Sequence, residues 1–192
     1  MGSTFATIDD KLAQWIVEQK IFFVATAPMN PSGHVNCSPK GGNTMRVLGP
    51  STVAYLDGAG SGIETVSHLR ENGRMVIMFC AFTGSPKIVR LHGTGKVITP
   101  GQSEFASLLA QFPPYPTVRS IILLDVQRVA DSCGYGVPFM DFCADRGDSK
   151  AYLRKTSDTA LHNYLRTNNQ ASIDGLPGLS ADELTTLVIQ RD

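Results

Sequence analysis

The stretch that decides the fold is residues 74–99, RMVIMFCAFTGSPKIVRLHGTGKVIT, in which two apolar runs flank the turn Gly84-Ser85-Pro86. Short runs rich in β-branched and aromatic residues, separated by glycine and proline, are typical of a β-hairpin. The pattern therefore predicts two antiparallel strands, at residues 74–82 and 87–99.

The sequence before this hairpin contains more short strands and one helix. An amphipathic helix is predicted to begin with Thr7 as its N-cap and to run to about Lys20, because Ile8, Leu12 and Ile16 share one face. The strands that follow are predicted at 21–27, 34–38, 44–48 and 52–57, with loops at 38–42 and 58–62.

The sequence after the hairpin is richer in helices. After the hairpin we predict a helix at 105–112, a strand at 118–129 and helices at 157–169 and 180–190. One further short helix, at 63–72, is predicted directly before the hairpin. The last helix has a capping-box pattern, Ser180 with Glu183 three residues on.

The order of these elements indicates the fold class. The helices separate groups of strands and do not alternate with single strands, and this order argues against a doubly wound parallel sheet. Six or seven strands in hairpins predict a mainly β (α+β) antiparallel barrel with flanking helices. We expect a single domain over residues 1–192, with an N-terminal helix at 1–20, a barrel core at 21–130 and a C-terminal loop and helices at 131–192.

The composition excludes several classes of function. Lys plus Arg and Asp plus Glu both number 17, so the net charge of zero argues against a nucleic-acid partner. The longest apolar runs are far shorter than the roughly 20 residues that span a bilayer, and no secretory signal is visible, so no membrane partner is expected. The four cysteines form no CxxC pair, which favours free thiols in the cytoplasm. Only 18% of residues are charged, compared with about 25% in an average soluble domain, and this indicates that a second copy of the chain covers part of the surface.

The glycine-rich loop at residues 58–62 is the first candidate site. It connects a strand to a helix, and this geometry presents backbone N–H groups and the positive end of a helix dipole to a phosphate. It matches neither a dinucleotide-binding fingerprint nor a P-loop. The alternative is purely structural, because Ser61 and Glu64 also form a capping-box pattern.

Basic residues inside apolar strands are the second candidate feature. Arg46 and Arg90 each lie between apolar neighbours, and an inward-facing guanidinium needs an anionic partner. The alternative is that both face solvent on alternating strands. Lys40 is either a further anion contact or a surface lysine.

The histidines and the segment 133–136 are the remaining candidate features. The histidines show no metal-ligand spacing, so no metal site is predicted. The segment Cys133-Gly134-Tyr135-Gly136 predicts a sharp bend that presents the tyrosine ring to a cleft, or a turn whose ring packs on the core.

Several short motifs, in this order and spacing, resemble the pyridoxamine 5′-phosphate oxidase-related family of FMN-binding split β-barrels. They are SPKG at 38–41, RVL at 46–48, ENG at 71–73, MF at 78–79 and IVRLHGTG at 88–95. The resemblance covers about residues 22–129, and the segments at 132–138 and 172–179 are similar to a less characterised branch from fungi and other microbes.

This resemblance implies a six-stranded split β-barrel that forms a homodimer, with FMN at the dimer interface. Carried over by position, the cofactor contacts would be Lys40, Arg46, Val47, Ser61, Gly62, Glu64, Thr65 and Arg90. The segment 61–65 would approach the phosphate, and Arg90 would contact the flavin or the partner subunit.

The chain departs from true pyridoxamine phosphate oxidases at the start of this helix. Those enzymes hold the phosphate with an Arg-Lys pair where this chain has Glu64-Thr65. A carboxylate beside a phosphate is unfavourable. Either Lys40 and Arg46 carry the anion, or the phosphate shifts to the glycine loop, or the site holds another ligand. The chain also has no match to the substrate-phosphate residues, so vitamin B6 oxidation is not expected.

The resemblance therefore implies an FMN-dependent oxidoreductase acting on a small molecule in a cleft between subunits. Cys133 and Tyr135 are the candidate substrate contacts, and no catalytic acid or base is assigned. Two alternatives stay open: a haem-binding or haem-handling barrel with His68 or His92 as ligand, and a dimer that binds a flavin without catalysis.

Overall fold

The central hairpin forms as predicted in the structure, a computed structural model that describes residues 2–147 and 155–189. Its strands pair antiparallel, with Val76 opposite His92, and belong to one nine-stranded sheet. The strands are β1 (Thr4–Phe5), β2 (Ile21–Thr26), β3 (Asn36–Gly41), β4 (Met45–Gly49), β5 (Thr52–Gly58), β6 (Arg74–Cys80), β7 (Ile88–Ile98), β8 (Thr117–Ser132) and β9 (Val188–Ile189). The helices are α1 (Asp10–Glu18), α2 (Glu64–Glu71), α3 (Phe105–Leu109) and α4 (Asp158–Asn169).

The sheet curls into a split barrel around its longest strand. The order is β3-β2-β6-β7-β8-β5-β4, and the 16-residue β8 also pairs with the two-residue strands β1 and β9. Every pairing is antiparallel. The end strands β3 and β4 do not pair with each other, so the barrel stays open between them. The predicted mainly β barrel with flanking helices is therefore confirmed.

The core lies inside this curled sheet. The Phe22 ring packs 5.6 Å from Tyr55 and 5.7 Å from Phe79, between ring centroids. Helix α1 adds Leu12 and Ile16 to the same cluster. The alternation of buried and half-buried residues along β2 reflects the two faces of a strand.

Two helix starts differ from the prediction. Helix α1 begins at Asp10, and Asp9, not Thr7, caps it, since Asp9 Oδ1 accepts the N–H of Leu12 at 2.8 Å. Ser61 does not cap α2: the N-cap position is Ile63, which has no side-chain hydrogen bond to the helix start.

Strand β3 also differs, because it runs through the segment predicted as a loop. Pro39 lies opposite Phe23 of β2, and Lys40 lies opposite Phe22. Proline is tolerated there because β3 is at the end of the sheet order, where no further strand needs its missing N–H.

The predicted last helix is wrong within the described residues. The capping box forms, with Ser180 Oγ accepting from Glu183 N at 3.2 Å and Glu183 Oε2 accepting from Ser180 N at 2.8 Å. However, only a 3₁₀ turn at Glu183–Thr185 follows before β9. Position 190 of the predicted helix lies outside the described residues. The helix predicted at 157–169, by contrast, is confirmed as α4. Ser157 is its N-cap. No helix in the described ranges is long and apolar enough to cross a membrane.

Candidate functional site

A cavity of about 470 Å³ lies where β3, the glycine-rich loop and the starts of α2 and β8 meet. The structure brings five of the predicted cofactor contacts to its wall: Lys40, Ser61, Gly62, Glu64 and Thr65. Residues from three separate parts of the chain, 36–44, 56–65 and 115–119, therefore form one concave site.

The glycine loop follows a break in the sheet. The pairing of β5 with β8 shifts register between Asp57 and Gly58, and Ala59 N–H donates to Thr117 Oγ1 at 3.3 Å. A Cβ on Gly58 would lie 2.9 Å from Cε1 of Tyr115, so a larger residue would push that ring away. Within the described residues, Ile63 at the N-cap position makes no side-chain hydrogen bond to the start of α2. The first backbone N–H groups of a helix have no partner inside it.

Lys40 supplies a positive charge to this wall. Its Nζ lies 3.8 Å from Asp57 Oδ1, and 24% of its side chain is exposed. The ammonium is thus held near the glycine loop by a buried carboxylate but can still reach a ligand. This geometry supports the interpretation of Lys40 as an anion contact.

Asp57 and Arg119 form a buried ion pair under the cavity. Arg119 Nε donates to Asp57 Oδ2 at 2.7 Å and its NH2 to Oδ1 at 3.2 Å, while Ser120 Oγ donates to Oδ2 at 3.0 Å. Burial would raise the pKa of Asp57, but the charges of Arg119 and Lys40 outweigh it and hold this pKa below its ordinary value. Burial opposes the charge of Arg119, and Asp57 outweighs it, so the pKa of Arg119 is raised.

The local sequence pattern does not predict this pair, although both strands carry a signal for it. Asp57 ends the apolar run of β5, and Arg119 lies near the start of the apolar run of β8. In the register of the two strands Asp57 lies opposite Ser120, next to Arg119. An acid at the end of one apolar run and a base near the start of another could have suggested an ion pair. The pairing of these two strands, which lie far apart in sequence, was needed to connect them.

A second layer of hydrogen bonds links the pair to the glycine loop. Arg119 NH1 donates to Asn169 Oδ1 at 2.8 Å, and Asn169 Nδ2 donates to the carbonyl of Gly60 at 2.9 Å. Arg119 NH1 lies 3.4 Å from the same carbonyl. Asn169, the last residue of α4, therefore connects the C-terminal helix to the cavity.

The Glu64 carboxylate lies between the glycine loop and the C-terminal segment, since a Cβ on Gly62 would lie 2.5 Å from its Oε2. Its Oε1 accepts the N–H of Ile173 at 3.3 Å. Helix α2 is further fixed at its other end, where Arg70 donates to the carbonyl of Gly178 and pairs with Glu183 at 2.6 Å. The carboxylate that departs from the family pattern therefore has a structural partner.

A polar network runs from the cavity wall into the core. Asn36 Nδ2 donates to Thr65 Oγ1 at 3.0 Å and to Thr26 Oγ1 at 3.2 Å, and Thr26 Oγ1 lies 2.9 Å from His68 Nδ1. His68 is fully buried, and burial lowers its pKa. Because His68 has no exposed surface, it is poorly placed as a haem ligand.

Three of the predicted cofactor contacts lie outside the cavity lining: Arg46, Val47 and Arg90. The Arg46 guanidinium donates to the carbonyls of Gln111, Asn43 and Met45 and lies 5.0 Å from the centre of the Phe112 ring. Burial lowers the pKa of Arg46. Arg90 NH1 donates to Ser132 Oγ at 2.9 Å. Their contact with a cofactor stays a prediction.

A larger cleft of about 1370 Å³ adjoins the cavity across β3. Pro39, Lys40 and Gly41 line both spaces, so the two meet at Lys40. Of the two predicted substrate contacts, Cys133 lines this cleft, whereas Tyr135 is 85% exposed and does not line it. The substrate roles of both residues stay predictions.

Comparison with known proteins gives a consistent result. The family described as pyridoxamine 5′-phosphate oxidase matches residues 8–133. The pyridoxamine 5′-phosphate oxidase family protein ustO of Aspergillus flavus is 38% identical over 192 residues, which cover 91% of this chain and 77% of the fungal protein.

Solved structures superpose on about two thirds of the chain. A tagged single-substitution variant of HupZ from Group A Streptococcus superposes with a TM-score of 0.51 at 20% identity, over 65% of this chain and 99% of that one. A pyridoxamine 5′-phosphate oxidase-related, FMN-binding protein of Nostoc punctiforme superposes with a TM-score of 0.44 at 15% identity, over 66% of this chain and 80% of that one. The likeness to HupZ shows the split-barrel fold.

Proposed function

The chain belongs to the pyridoxamine 5′-phosphate oxidase family, and from this membership we propose that it is a flavin-dependent oxidoreductase that binds FMN in the 470 Å³ cavity. The observation that carries the proposal is the convergence of the glycine loop, the uncapped start of α2 and Lys40 on one cavity. All three favour an anionic ligand group.

The residues of the cavity fit a flavin phosphate. Backbone N–H groups at 61–65 offer donors, and the Lys40 ammonium offers a compensating charge. The hydrogen bond of Glu64 Oε1 with the N–H of Ile173 gives the carboxylate a partner other than the ligand. The phosphate thus contacts the glycine loop and Lys40 in place of the Arg-Lys pair of true pyridoxamine phosphate oxidases.

A bound flavin supplies hydride transfer at its N5 atom. The chain itself holds and orients the cofactor. The Asp57–Arg119 pair fixes the floor of the cavity, and Lys40 stands between the cavity and the larger cleft. We assign the substrate, a small molecule, to that cleft, where Trp15 and Phe142 provide apolar surface.

The proposal includes a homodimer whose interface carries the flavin. Several large apolar side chains are exposed on one segment after β8, among them Tyr135 at 85%, Phe139 at 84% and Met140 at 58%. Neighbouring exposed apolar residues of this size favour a protein partner. A second copy of the chain is the partner that the family resemblance implies.

Fluorescence titration with FMN and with riboflavin tests the proposal, using Lys40→Ala and the control Lys96→Ala. Lys96 pairs with Glu104 at 2.7 Å and lies outside the cavity lining, so Lys96→Ala removes the same charge at a site away from the cavity. A charge-assisted contact contributes roughly 1.5–3 kcal/mol, so Lys40→Ala should weaken FMN binding by about one to two decades. Riboflavin, which has no phosphate, should lose far less.

The control variant should bind FMN as the wild type does. A wild-type protein that binds neither flavin would refute the proposed function. Equal losses with Lys40→Ala and Lys96→Ala would refute the placement of the phosphate beside Lys40.

A further inference from the structure

The carbonyl of Gly60 is held by two buried side chains from different elements. Asn169 Nδ2 donates to this oxygen at 2.9 Å, and Arg119 NH1 lies 3.4 Å from it. Both side chains are almost completely buried. Asn169 lies beyond residues 8–133, the part of the chain that matches the family. A residue outside the family core therefore fixes the backbone of the glycine loop.

The direction of this carbonyl determines the direction of the next N–H group. A trans peptide is planar, so the C=O of Gly60 and the N–H of Ser61 point to opposite sides. No cis peptide occurs in the described ranges. Because the Gly60 oxygen faces Asn169 and Arg119, the Ser61 N–H faces away from this buried cluster. Both Gly60 and Ser61 line the cavity.

We propose that Asn169 is a positioning residue for the cofactor, acting together with Arg119 on the Gly60 carbonyl. The pair, which we call the Gly60 clamp, directs the Ser61 N–H toward the ligand phosphate. The C-terminal helix α4 thereby completes a binding site whose other walls belong to the family core. This inference rests on the proposed function, because the phosphate is that of the proposed flavin.

The segment after α4 keeps Asn169 in this place. The N–H of Leu179 donates to the carbonyl of Asn169 at 2.9 Å. A Cβ on Gly178 would lie 2.4 Å from that carbonyl and 2.9 Å from Ile63 Cγ1, so only glycine fits between the two. Ile173 N–H bonds Glu64 at the start of α2. The clamp is therefore anchored to the helix that follows the glycine loop.

Replacement of the Asn169 amide tests the clamp without changing the net charge. Asn169→Ala removes the donor to Gly60, and Asn169→Leu removes it while keeping more of the side-chain volume. Asn168→Ala is the matched control, since Asn168 lies on the same helix and its Nδ2 donates to the carbonyl of Tyr164 at 2.7 Å. The probes are FMN and riboflavin, and hydrogen–deuterium exchange of residues 58–62 is followed without ligand.

The inference predicts that both Asn169 variants weaken FMN binding by about tenfold, the loss of one hydrogen bond, and riboflavin binding clearly less. Exchange in residues 58–62 should rise in both variants and stay unchanged in Asn168→Ala. A purely structural role for Asn169 would reduce the affinity for both flavins equally, and that result overturns the inference. Unchanged loop exchange in a folded Asn169→Leu protein also overturns it.

The proposed flavin binding and the role of the Gly60 clamp can be refuted separately. If the wild type binds no flavin, the proposed function fails and the ligand role of Asn169 fails with it, whatever the exchange data show. If the wild type binds FMN and both Asn169 variants bind it equally well, only the clamp is refuted.

Discussion

At the scale of single residues, the Asp57–Arg119 pair shows how a buried charge depends on its partner. Neither charge is exposed, and each is held by more than one hydrogen bond. Removing one member of a buried pair is costly because the other charge is left uncompensated. The pair supports the floor of the cavity, so its loss should lower both the stability of the fold and the affinity for a ligand.

Asp57→Asn should therefore lower the free energy of unfolding by about 3–5 kcal/mol, measured by urea denaturation at neutral pH. Asp125→Asn is the control, because Asp125 lies on the same strand β8 as Arg119 but is exposed. It should change the free energy by no more than about 0.5 kcal/mol. Similar small losses in both variants would contradict the importance of the pair.

The same pair predicts how the free energy of unfolding changes at acidic pH. The pKa of Asp57 lies below its ordinary value of 3.8 in the folded chain, so its stabilisation is complete above 3.8 and is lost as the pH falls through the folded value. Urea denaturation at several acidic pH values should show this slope in the wild type and a reduced slope in Asp57→Asn. An identical slope in both proteins would contradict the assignment.

Glu64 gives a prediction about ligand affinity. Glu64→Gln keeps an oxygen that can accept the N–H of Ile173 but removes the negative charge near the phosphate. FMN should bind equally or more tightly to this variant, and the measured affinity should depend less on salt because the repulsion is gone. Abolished binding would instead identify the carboxylate as a direct ligand contact.

At the scale of elements, helix α2 carries a histidine that cannot easily take a proton. Burial lowers the pKa of His68 below its usual 6.5, whereas the unfolded chain binds a proton near that value. Stability should therefore fall as the pH drops below about 6.5, because the unfolded state is then favoured.

Thermal denaturation between about pH 7 and pH 5 checks this expectation. The melting temperature of the wild type should fall across this range, and His68→Gln should reduce the fall. His162→Gln, on helix α4, is the control and should keep the wild-type dependence. A steep dependence retained in His68→Gln would show that another group is responsible.

Local sequence pattern predicted the strands and their hairpins well but the element ends less well. The alternation in 74–99 is a property of adjacent residues, and so is the spacing of apolar residues in the helix predicted at 157–169, and both elements were confirmed. The local pattern around Pro39 predicts a loop, yet Pro39 lies in β3, because a proline in an end strand removes no hydrogen bond between strands. The Ser180 capping box also formed without a full helix, since local caps do not decide how far a helix continues.

The candidate site was predictable only in part for the same reason. The glycine loop, Lys40 and Glu64 are recognisable from order and spacing, and the structure brings them to one cavity. Asn169 and Arg119 reach that cavity through contacts that join residues 60, 119 and 169. Such long-range contacts leave no periodic signal in a single sequence.

At the scale of the whole molecule, the exposed apolar segment after β8 predicts self-association. Multi-angle light scattering at micromolar concentration should give the mass of a dimer. The double variant Tyr135→Ser, Phe139→Ser should shift the equilibrium toward monomer, because it removes two large exposed apolar side chains. Met29→Ser, at an exposed position in another loop, is the control. A wild-type monomer under these conditions would contradict a shared interface site.

The central claim concerns where the flavin phosphate binds, and a crystal structure of the protein with FMN tests it most directly. The account predicts the phosphate within hydrogen-bond distance of the backbone N–H groups at 61–65, with Lys40 Nζ beside it and the flavin ring at the side of the cavity that meets the larger cleft. A phosphate bound away from the glycine loop, or a cavity that stays free of FMN in such crystals, would contradict it.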